Sequence, residues 1–465
     1  MLRFIYFPLL AALLWSFWAA ARRIGSRDRT LSPILGWTLG LAFFFLAPLT
    51  LMVLNGGYAD PAFYASSSSH SKVNLANLEF FVPFLVIWTS LILSAGALLL
   101  FVPATDAAGA GLRSQPEIAI ERAPLQKIIF ITIIVSLLDY GATIRMAGGI
   151  EGFLYSNWYG RGVDLLAELG DRYVLYLWLS QANQIIFTAA AVLYTGSMVR
   201  EGKIHWRFSL LLVFFFLLHI GFQGERIYLA LYLLSLVTLC WLHGRKKMVL
   251  GLVLAAPLLA AVFSAWAYFR NDLTKIGDNV SVYADADIEN RTTTWLMDAC
   301  DGDDMMFLFH IIKDFGNKYD YLYGTSYARV GYFFLPRSIF PEKPHGFNLQ
   351  LAELYEPGEA TSFCATQLGE LYANFGPFGI LLLPALTLIL LLLSNQLRAR
   401  AAHRPLLATA MFLLLIWCAR STLEDQFITF LLVFMLIGAL RLERGLTRVN
   451  HPIEAYSQGL EPSAG

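Results

Sequence analysis

Charged residues are scarce in this chain. They make up 15% of its 465 residues, whereas soluble domains carry about 25%. Hydrophobic residues reach 57% and the mean hydropathy is +0.57, which is more apolar surface than a soluble fold can bury. The 35 Phe, 21 Tyr and 11 Trp exclude a disordered chain. The composition therefore predicts an all-α membrane protein that crosses the bilayer many times.

A net charge is also missing, because 34 Lys and Arg balance 34 Asp and Glu. The chain thus lacks the basic excess of a nucleic-acid-binding protein, and no nucleic-acid partner is expected. Its short basic loops contain neither G-x-x-x-x-G-K-[ST] nor G-x-G-x-x-G, which argues against an ATP-driven pump or a cytoplasmic catalytic domain. The sequence has no internal repeat, which argues against a transporter built from repeats.

Cysteine is rare as well, with four residues in two settings. Cys240 and Cys418 fall in apolar segments, where they are expected to pack without reacting. Cys300 and Cys364 share one long hydrophilic segment, where a disulfide and two free thiols are both open.

Eleven apolar segments approach the length of about 20 residues that crosses a bilayer as a helix. The connections between these segments fall into two sets that differ in basic residues. Six segments of one set hold 19 Lys and Arg, while the short loops of the other set hold 7. All six basic segments fall on one side if there are eleven spans, so the N-terminus is predicted outside and the C-terminus in the cytoplasm. The predicted spans are 2–21, 33–54, 78–102, 128–144, 173–197, 208–222, 227–242, 248–269, 376–394, 405–420 and 427–441.

The first span also has features of a cleaved signal peptide, namely Arg3 and the small residues at 19–21. Cleavage would leave the basic segment 22–29 outside, against the charge pattern, so a retained helix is favoured. The predicted organisation is a bundle of eight spans at 1–269, a large extracytoplasmic loop at 270–375, three spans at 376–441 and a cytoplasmic tail at 442–465.

The long loop has two different halves. The first half carries acidic clusters at 285–289 and 301–304. These clusters suit either a metal-binding D-x-D site or a solvated face. The solvated face is favoured, since EF-hand spacing is absent, and no metal is predicted. The second half, 329–344, is aromatic, basic and broken by proline. Such a segment lies at the headgroups, either as a lid over a lipid-linked anionic substrate or as a simple anchor.

Arginines at the outer ends of spans are the strongest chemical signal. Arg226 follows a tight turn, Arg270 ends one span and Arg420 ends another. The positive-inside rule disfavours arginine there, and ionisable residues at membrane depth suggest function. Converging guanidinium groups would bind a diphosphate and stabilise it as a leaving group. The alternative is local pairing, for instance of Arg226 with Glu225.

Attack by a sugar hydroxyl benefits from a general base, and a carboxylate near the outer membrane boundary, where these arginines lie, could serve as one. Glu370 is one candidate, because it lies among glycines at 366–379 just before a span. A plainer interpretation is a carboxylate that complements a helix dipole. The other carboxylates near this level are Glu79, Asp139, Glu225, Glu424 and Asp425.

Taken in order, these segments resemble the Wzy-type O-antigen and oligosaccharide repeat-unit polymerases. The resemblance covers residues 215–430. It rests on the turn 224–226, the span end 268–270, the stretch 335–344, the segment 366–379, and Arg420 with Glu424 between the last two helices. The N-terminal half matches only in hydropathy.

The resemblance implies a GT-C-like helical transferase in a bacterial inner membrane. It would join repeat units carried on undecaprenyl diphosphate at the periplasmic face, without nucleotide sugar, metal or cofactor. Membrane lipid and a chain-length regulator protein are the other expected partners. The implied diphosphate ligands are Arg226, Arg270, Arg337 and Arg420. Glu370 and Glu424 are implied as base or sugar contact, and the further candidates are Arg329 and His345.

Two alternatives remain open at this point. An O-antigen ligase has a similar layout and relies on an outer-loop histidine, for which His310 or His345 would serve. Neither histidine has the ligand spacing of a zinc site. A lipid-linked oligosaccharide flippase is the second alternative, although a flippase should place charge in mid-span rather than at the outer boundary.

Overall fold

The computed structural model describes residues 2–28, 31–59, 72–102, 118–150, 171–201, 206–223, 227–252, 254, 302–331, 340, 346–355, 366–401 and 404–449. The helices of its apolar part are α1 (Leu2–Asp28), α2 (Pro33–Leu41), α3 (Ala47–Asn55), α4 (Phe81–Phe101), α5 (Arg122–Met146), α6 (Asp171–Glu201), α7 (Trp206–Gln223) and α8 (Ile227–Leu242). A π-helical stretch, Ala42–Leu46, joins α2 to α3.

The later part of the chain combines short polar helices with further apolar ones. The short helices are α9 (Gly302–Asp314), α10 (Thr325–Ala328), α11 (Phe347–Tyr355) and α12 (Thr366–Phe375). The apolar helices are α13 (Gly379–Ala401), α14 (Pro405–Arg420) and α15 (Leu423–Ala439). Two small antiparallel pairs join β1 (Gly57–Ala59) to β2 (Lys72–Asn74) and β3 (Ile118–Ile120) to β4 (Thr447–Val449).

The protein is an all-α membrane protein, because six described helical segments are long and apolar enough to cross a bilayer. They are Ile5–Gly25, Pro33–Asn55, Leu78–Phe101, Arg122–Met146, Leu177–Glu201 and Thr366–Gln396. Shorter apolar helices are Arg207–Ile220, Ile227–Leu242, Pro405–Arg420 and Gln426–Ala439. The predicted span 248–269 lies mostly outside the described residues, so the count of eleven stays a prediction.

Helix α6 lies at the centre of the bundle, in contact with α5, α8, α14 and α15. Small residues allow four helices to pack closely against α6, because their short side chains let neighbouring backbones approach. The fully buried alanines of α6 are Ala182, Ala189, Ala190 and Ala191. Both described cysteines are buried and free, as expected for packing residues: Cys240 in α8 and Cys418 in α14.

Contacts at one end of the bundle join connections that the charge pattern places on a single side. Strand β3 pairs with β4, with Ile118 opposite Val449. Arg23 Nη1 donates to the carbonyl oxygen of Leu99 at 2.5 Å. Arg122 forms an ion pair with Glu201. We call this the basic end.

Contacts at the opposite end join the other set of connections. The Tyr6 hydroxyl donates to the Leu75 carbonyl oxygen at 3.0 Å, and the Phe80 ring lies 6.2 Å from the Phe309 ring. We call this the Arg420 end, after the last residue of α14. Among the described residues, these contacts each join two connections of the same predicted set. That the basic end faces the cytoplasm stays a prediction.

Helices α2 and α14 approach through two glycines one turn apart. A Cβ atom on Gly40 would lie 2.6 Å from the carbonyl oxygen of Ile416, and Gly36 meets the backbone of Phe412 in the same way. This small-x-x-x-small pattern is a common device for packing membrane helices. It fixes α14 against the bundle and so positions Arg420.

Replacement of Gly40 by Leu is expected to lower the melting temperature of the purified protein. Overpacking of this kind costs about 1–3 kcal/mol of the free energy of unfolding, and here it acts on backbone that cannot move aside. Gly96→Leu is the matched control, because a Cβ on Gly96 meets nothing within 4 Å. Equal melting temperatures for the two variants would contradict the close packing of α2 on α14.

The turn between α12 and α13 folds one helix back onto the next. Gly376 has a φ of +58°, which glycine adopts without strain. A Cβ on Gly379 would lie 2.8 Å from the Leu371 backbone. Gly376 and Gly379 therefore form a packed turn, as the sequence suggests, and this turn divides the apolar segment Thr366–Gln396 into α12 and α13.

Candidate functional site

Arg420 is held by an acidic partner from the long loop. Its Nε donates to Asp304 Oδ2 at 2.8 Å, and the two side chains are 26% and 8% exposed. Asp304 lies in the first turn of α9, and Arg420 is the last residue of α14. The contact is a charge-assisted hydrogen bond, which is roughly twice as strong as a neutral one. We call it the Arg420–Asp304 pair.

This pair corrects the interpretation as a solvated face for Asp304, the residue of the acidic cluster 301–304 that forms it. Asp304 is buried and bonded to a cation. A carboxylate can be buried here because the guanidinium compensates its charge, which an isolated carboxylate could not achieve. The sequence shows that Asp304 has acidic neighbours, but it does not show that Arg420 is its partner. The prediction that Asp304 faces solvent was therefore wrong.

Glu370 lies at the centre of a buried hydrogen-bond network in α12. Ser326 Oγ donates to Glu370 Oε1 at 2.9 Å, and Asn374 Nδ2 donates to Ser326 Oγ at 2.9 Å. All three side chains are fully buried. Asn374 Oδ1 also accepts from the Gly324 backbone N–H at 3.0 Å, which ties α10 to α12. We call Glu370, Ser326 and Asn374 the Glu370 network.

Helix packing brings the Glu370 network and the Arg420–Asp304 pair into one group of helices. Helix α12 packs against both α9 and α14, and α15 packs against α10 and the turn that follows it, Arg329–Gly331. This is the only part of the described structure where an arginine at a span end and a fully buried carboxylate share the same packed helices.

Tyr327 borders the Glu370 network. Burial, and then the nearby charge of Glu370, raise the pKa of the Tyr327 hydroxyl well above its ordinary value, and the adjacent Gln367 amide partly offsets the rise. The Tyr327 ring stacks on Phe375 with centroids 5.7 Å apart. The hydroxyl therefore stays protonated and can serve as a hydrogen-bond donor throughout the physiological range.

The raised pKa of Tyr327 predicts a loss of stability at high pH. A tyrosine in the unfolded chain ionises near pH 10, whereas the buried hydroxyl stays neutral, so its contribution falls as the pH rises above that value. Tyr327→Phe should therefore show a smaller drop in melting temperature between pH 9 and pH 11 than the wild type. Tyr323→Phe is the control, because Tyr323 is 79% exposed. An identical drop in all three proteins would contradict the burial of an ionisable Tyr327.

Several predicted site residues cannot be placed against this group. Arg226, Arg270, Arg337 and His345 lie outside the described residues, as do Cys300 and Cys364. The backbone of Glu424 lies in the first turn of α15, and Arg329 opens the turn after α10. The convergence of several arginines on one cavity therefore stays a prediction, with Arg420 as its described member.

His310 is enclosed rather than presented to substrate. Its side chain is fully buried in α9 and meets the Phe80 ring edge-on, with centroids 5.6 Å apart. This environment suits a packing residue. His310 is as fully buried as Glu370, and its role as the outer histidine of a ligase stays an untested alternative.

Other predicted carboxylates have local partners. Glu79 lies 3.6 Å from Lys313 Nζ and its side chain is 51% exposed, which describes a weak surface pair. Asp139 Oδ2, inside the α5 span, accepts from Ser180 Oγ of α6 at 2.7 Å. Asp139 therefore belongs to a polar contact between two spans, whereas Glu225 lies outside the described residues.

Three residues of this group were not singled out by sequence reasoning. Asn374 falls inside the 366–379 segment, and a polar residue one turn from Glu370 is a signal that could have been used. Asp304 was assigned to solvent. Ser326 carried no signal, because its role depends on α10 meeting α12 across more than forty intervening residues.

Within the described part of the chain, no group of three or more His, Cys, Asp and Glu side chains is arranged to hold a metal ion. The acidic cluster 285–289 lies outside the described residues. The chain matches no family model, no curated protein and no solved structure.

Proposed function

We propose that this protein is a membrane glycosyltransferase that polymerises oligosaccharide repeat units carried on undecaprenyl diphosphate, at the extracytoplasmic face of a bacterial inner membrane. The observation that carries the proposal is the Arg420–Asp304 pair at the end of a span. A guanidinium held in place at the membrane boundary is suited to a lipid-linked diphosphate, whose phosphates lie at that depth.

The reaction that fits these groups is a displacement at the anomeric carbon of the donor. A hydroxyl of the acceptor sugar attacks that carbon, the bond from carbon to the diphosphate oxygen breaks, and the hydroxyl proton passes to a base. Undecaprenyl diphosphate leaves with the bonding electrons. Arg420 would stabilise the charge that develops on it, and Glu370 would accept the proton.

The proposed roles of the remaining residues follow from the resemblance. Arg226 and Arg270 would share the diphosphate with Arg420, and Arg337 would close over it from the interfacial segment. Glu424 would contact the sugar from the start of α15. Neutralisation by arginine replaces the divalent ion on which many glycosyltransferases depend.

The same reasoning predicts that a chelator leaves turnover unchanged. Addition of EDTA to the purified protein with lipid-linked donor should give the rate of the untreated sample, because guanidinium groups supply the positive charge. Inhibition by EDTA that Mg²⁺ or Mn²⁺ reverses would contradict this and would point to the 285–289 cluster as a metal site. An EDTA-sensitive transferase assayed in parallel confirms that the chelator is effective.

The glycolipids of a deletion strain test the proposed function against its alternatives. A single repeat unit on the surface lipid is the result expected for a polymerase. Surface lipid without antigen, with polymer still on the carrier, would mean a ligase. Repeat units that accumulate at the cytoplasmic face would mean a flippase. The last two results would each overturn the proposal.

A further inference from the structure

A second polar site lies at the basic end of the bundle, away from Arg420. It is a cavity of about 210 Å³ between the start of α14 and the chain that follows α15. Arg404, Arg441 and Arg444 line it together with Glu443, and Leu407 and Phe434 form an apolar wall. With three guanidinium groups and one carboxylate, the lining carries an excess of positive charge.

Glu443 is occupied by the backbone rather than by these arginines. Its Oε1 accepts the Leu407 N–H at 2.6 Å and so caps the first turn of α14. Its Oε2 is buried and has no hydrogen-bond partner among the described residues. Burial raises the pKa of Glu443, while the Leu407 and Leu406 N–H groups and the charge of Arg404 work against the rise.

The guanidinium groups of the cavity are therefore available to a ligand. Within the described ranges, Arg404, Arg441 and Arg444 form no ion pair with a carboxylate inside 4.0 Å. The N-terminus of α14, a helix of 16 residues, also borders the cavity, and the Glu443 carboxylate already caps it through the Leu407 N–H. The three guanidinium groups of the lining are thus the feature that selects negative charge.

The backbone conformation of Arg441 also indicates a ligand site. Arg441 follows the last turn of α15 with a φ of +52°, a conformation usually taken by glycine at the end of a helix. An arginine there is strained, and strained residues cluster at ligand sites. The fold tolerates the strain at a position where the side chain faces the cavity.

We propose that this cavity binds the phosphate group of an anionic phospholipid from the leaflet at the basic end. Planar guanidinium groups bind phosphate bidentately, and three of them line the site. The cavity is smaller than the about 300–1,000 Å³ of typical small-molecule pockets, so it suits a headgroup phosphate rather than a whole ligand.

The apolar wall selects a lipid over free phosphate. Phe434 is 54% exposed, and Leu431 and Met435 continue an exposed apolar surface along α15. An acyl chain that descends from the cavity would lie on this surface. A soluble phosphate would use the arginines but gain nothing from the wall. The site is independent of the proposed transferase activity.

Hydrogen–deuterium exchange in nanodiscs tests the assignment at the site itself. Phosphatidylglycerol discs should slow amide exchange at 404–409 and 438–446 relative to phosphatidylcholine discs. With lipid at roughly ten times its dissociation constant, the slowing is about tenfold. The double variant Arg441→Gly with Arg444→Gln should lose this protection. Arg245→Gln, at the same end but outside the cavity lining, should keep it.

The melting temperature of the Arg441→Gly variant shows whether a loss of lipid binding comes from a loss of the fold. Arg441→Gly alone should melt no lower than the wild type in phosphatidylcholine discs, because glycine adopts a positive φ without strain. Equal protection in the two lipids, or protection that survives in the double variant, would overturn the site. Equal protection by inorganic phosphate added to phosphatidylcholine discs would overturn the lipid assignment in favour of a soluble anion.

Discussion

Arg420→Ala is expected to abolish chain extension while the protein still inserts into the membrane. Removal of one preorganised group that stabilises developing charge costs about 10²–10³-fold in turnover. Arg420 is a strong choice for such a group, because its Nε is fixed by Asp304 at 2.8 Å and its position at the end of α14 is set by the glycine contacts of α2.

The same substitution also leaves Asp304 buried without its cation. Loss of one partner of a buried pair destabilises by about 3–5 kcal/mol, and the partial exposure of Arg420, 26%, places this case below that range. A loss of activity in the single variant would therefore have two explanations.

A double variant separates the two explanations. Arg420→Ala combined with Asp304→Asn removes the unpaired charge, so the melting temperature should recover while chain extension stays absent. Arg420→Lys keeps the charge without the planar fork and should retain partial activity. Normal polymer length in the double variant would show that the pair is structural and would end the diphosphate role of Arg420.

Glu370→Gln is expected to abolish turnover and to keep donor binding. Glutamine has nearly the same shape and can still accept the Ser326 hydroxyl at its side-chain oxygen, but it cannot accept a proton from the attacking sugar. Loss of a general base typically costs about 10²–10⁴-fold. Turnover of a lipid-linked donor and binding of the same donor, measured on one preparation, give the two readouts.

The burial of Glu370 sharpens this prediction. Its carboxylate is fully buried and accepts a hydrogen bond from Ser326 of α10, so a role as base requires the surrounding elements to move when substrate binds. Ser326→Ala provides the matched control: it removes the hydrogen bond from Ser326 to Glu370, which costs about 1 kcal/mol of stability, but it preserves the base. Wild-type turnover in Glu370→Gln would show that Glu370 is not the base and only accepts a structural hydrogen bond.

The membrane class was predictable because it depends on totals. A charged fraction of 15% and long apolar runs determine that the chain must cross a bilayer. The uneven distribution of basic residues among the loops predicts two opposite ends for the bundle, and which end faces the cytoplasm stays a prediction. Strands β3 and β4 join two of the predicted basic segments directly, while the count of eleven spans stays a prediction.

Long-range pairing was not predictable, because hydropathy carries no information on which loop meets which helix. Arg420 pairs with Asp304, which lies 116 positions away along the chain. The same holds for Ser326 and Glu370, which are 44 positions apart. The segment 366–375 combines polar and apolar residues in ten positions, which is too short to be recognised as a helix of its own.

The most direct test of the central claim uses purified protein in vesicles with undecaprenyl-diphosphate-linked repeat units. The expected result is a ladder of carrier-linked chains with one undecaprenyl diphosphate released for each added unit, and its loss in the variant that combines Arg420→Ala with Asp304→Asn. Donor that remains a single unit, or that only crosses the bilayer without extension, would contradict the account.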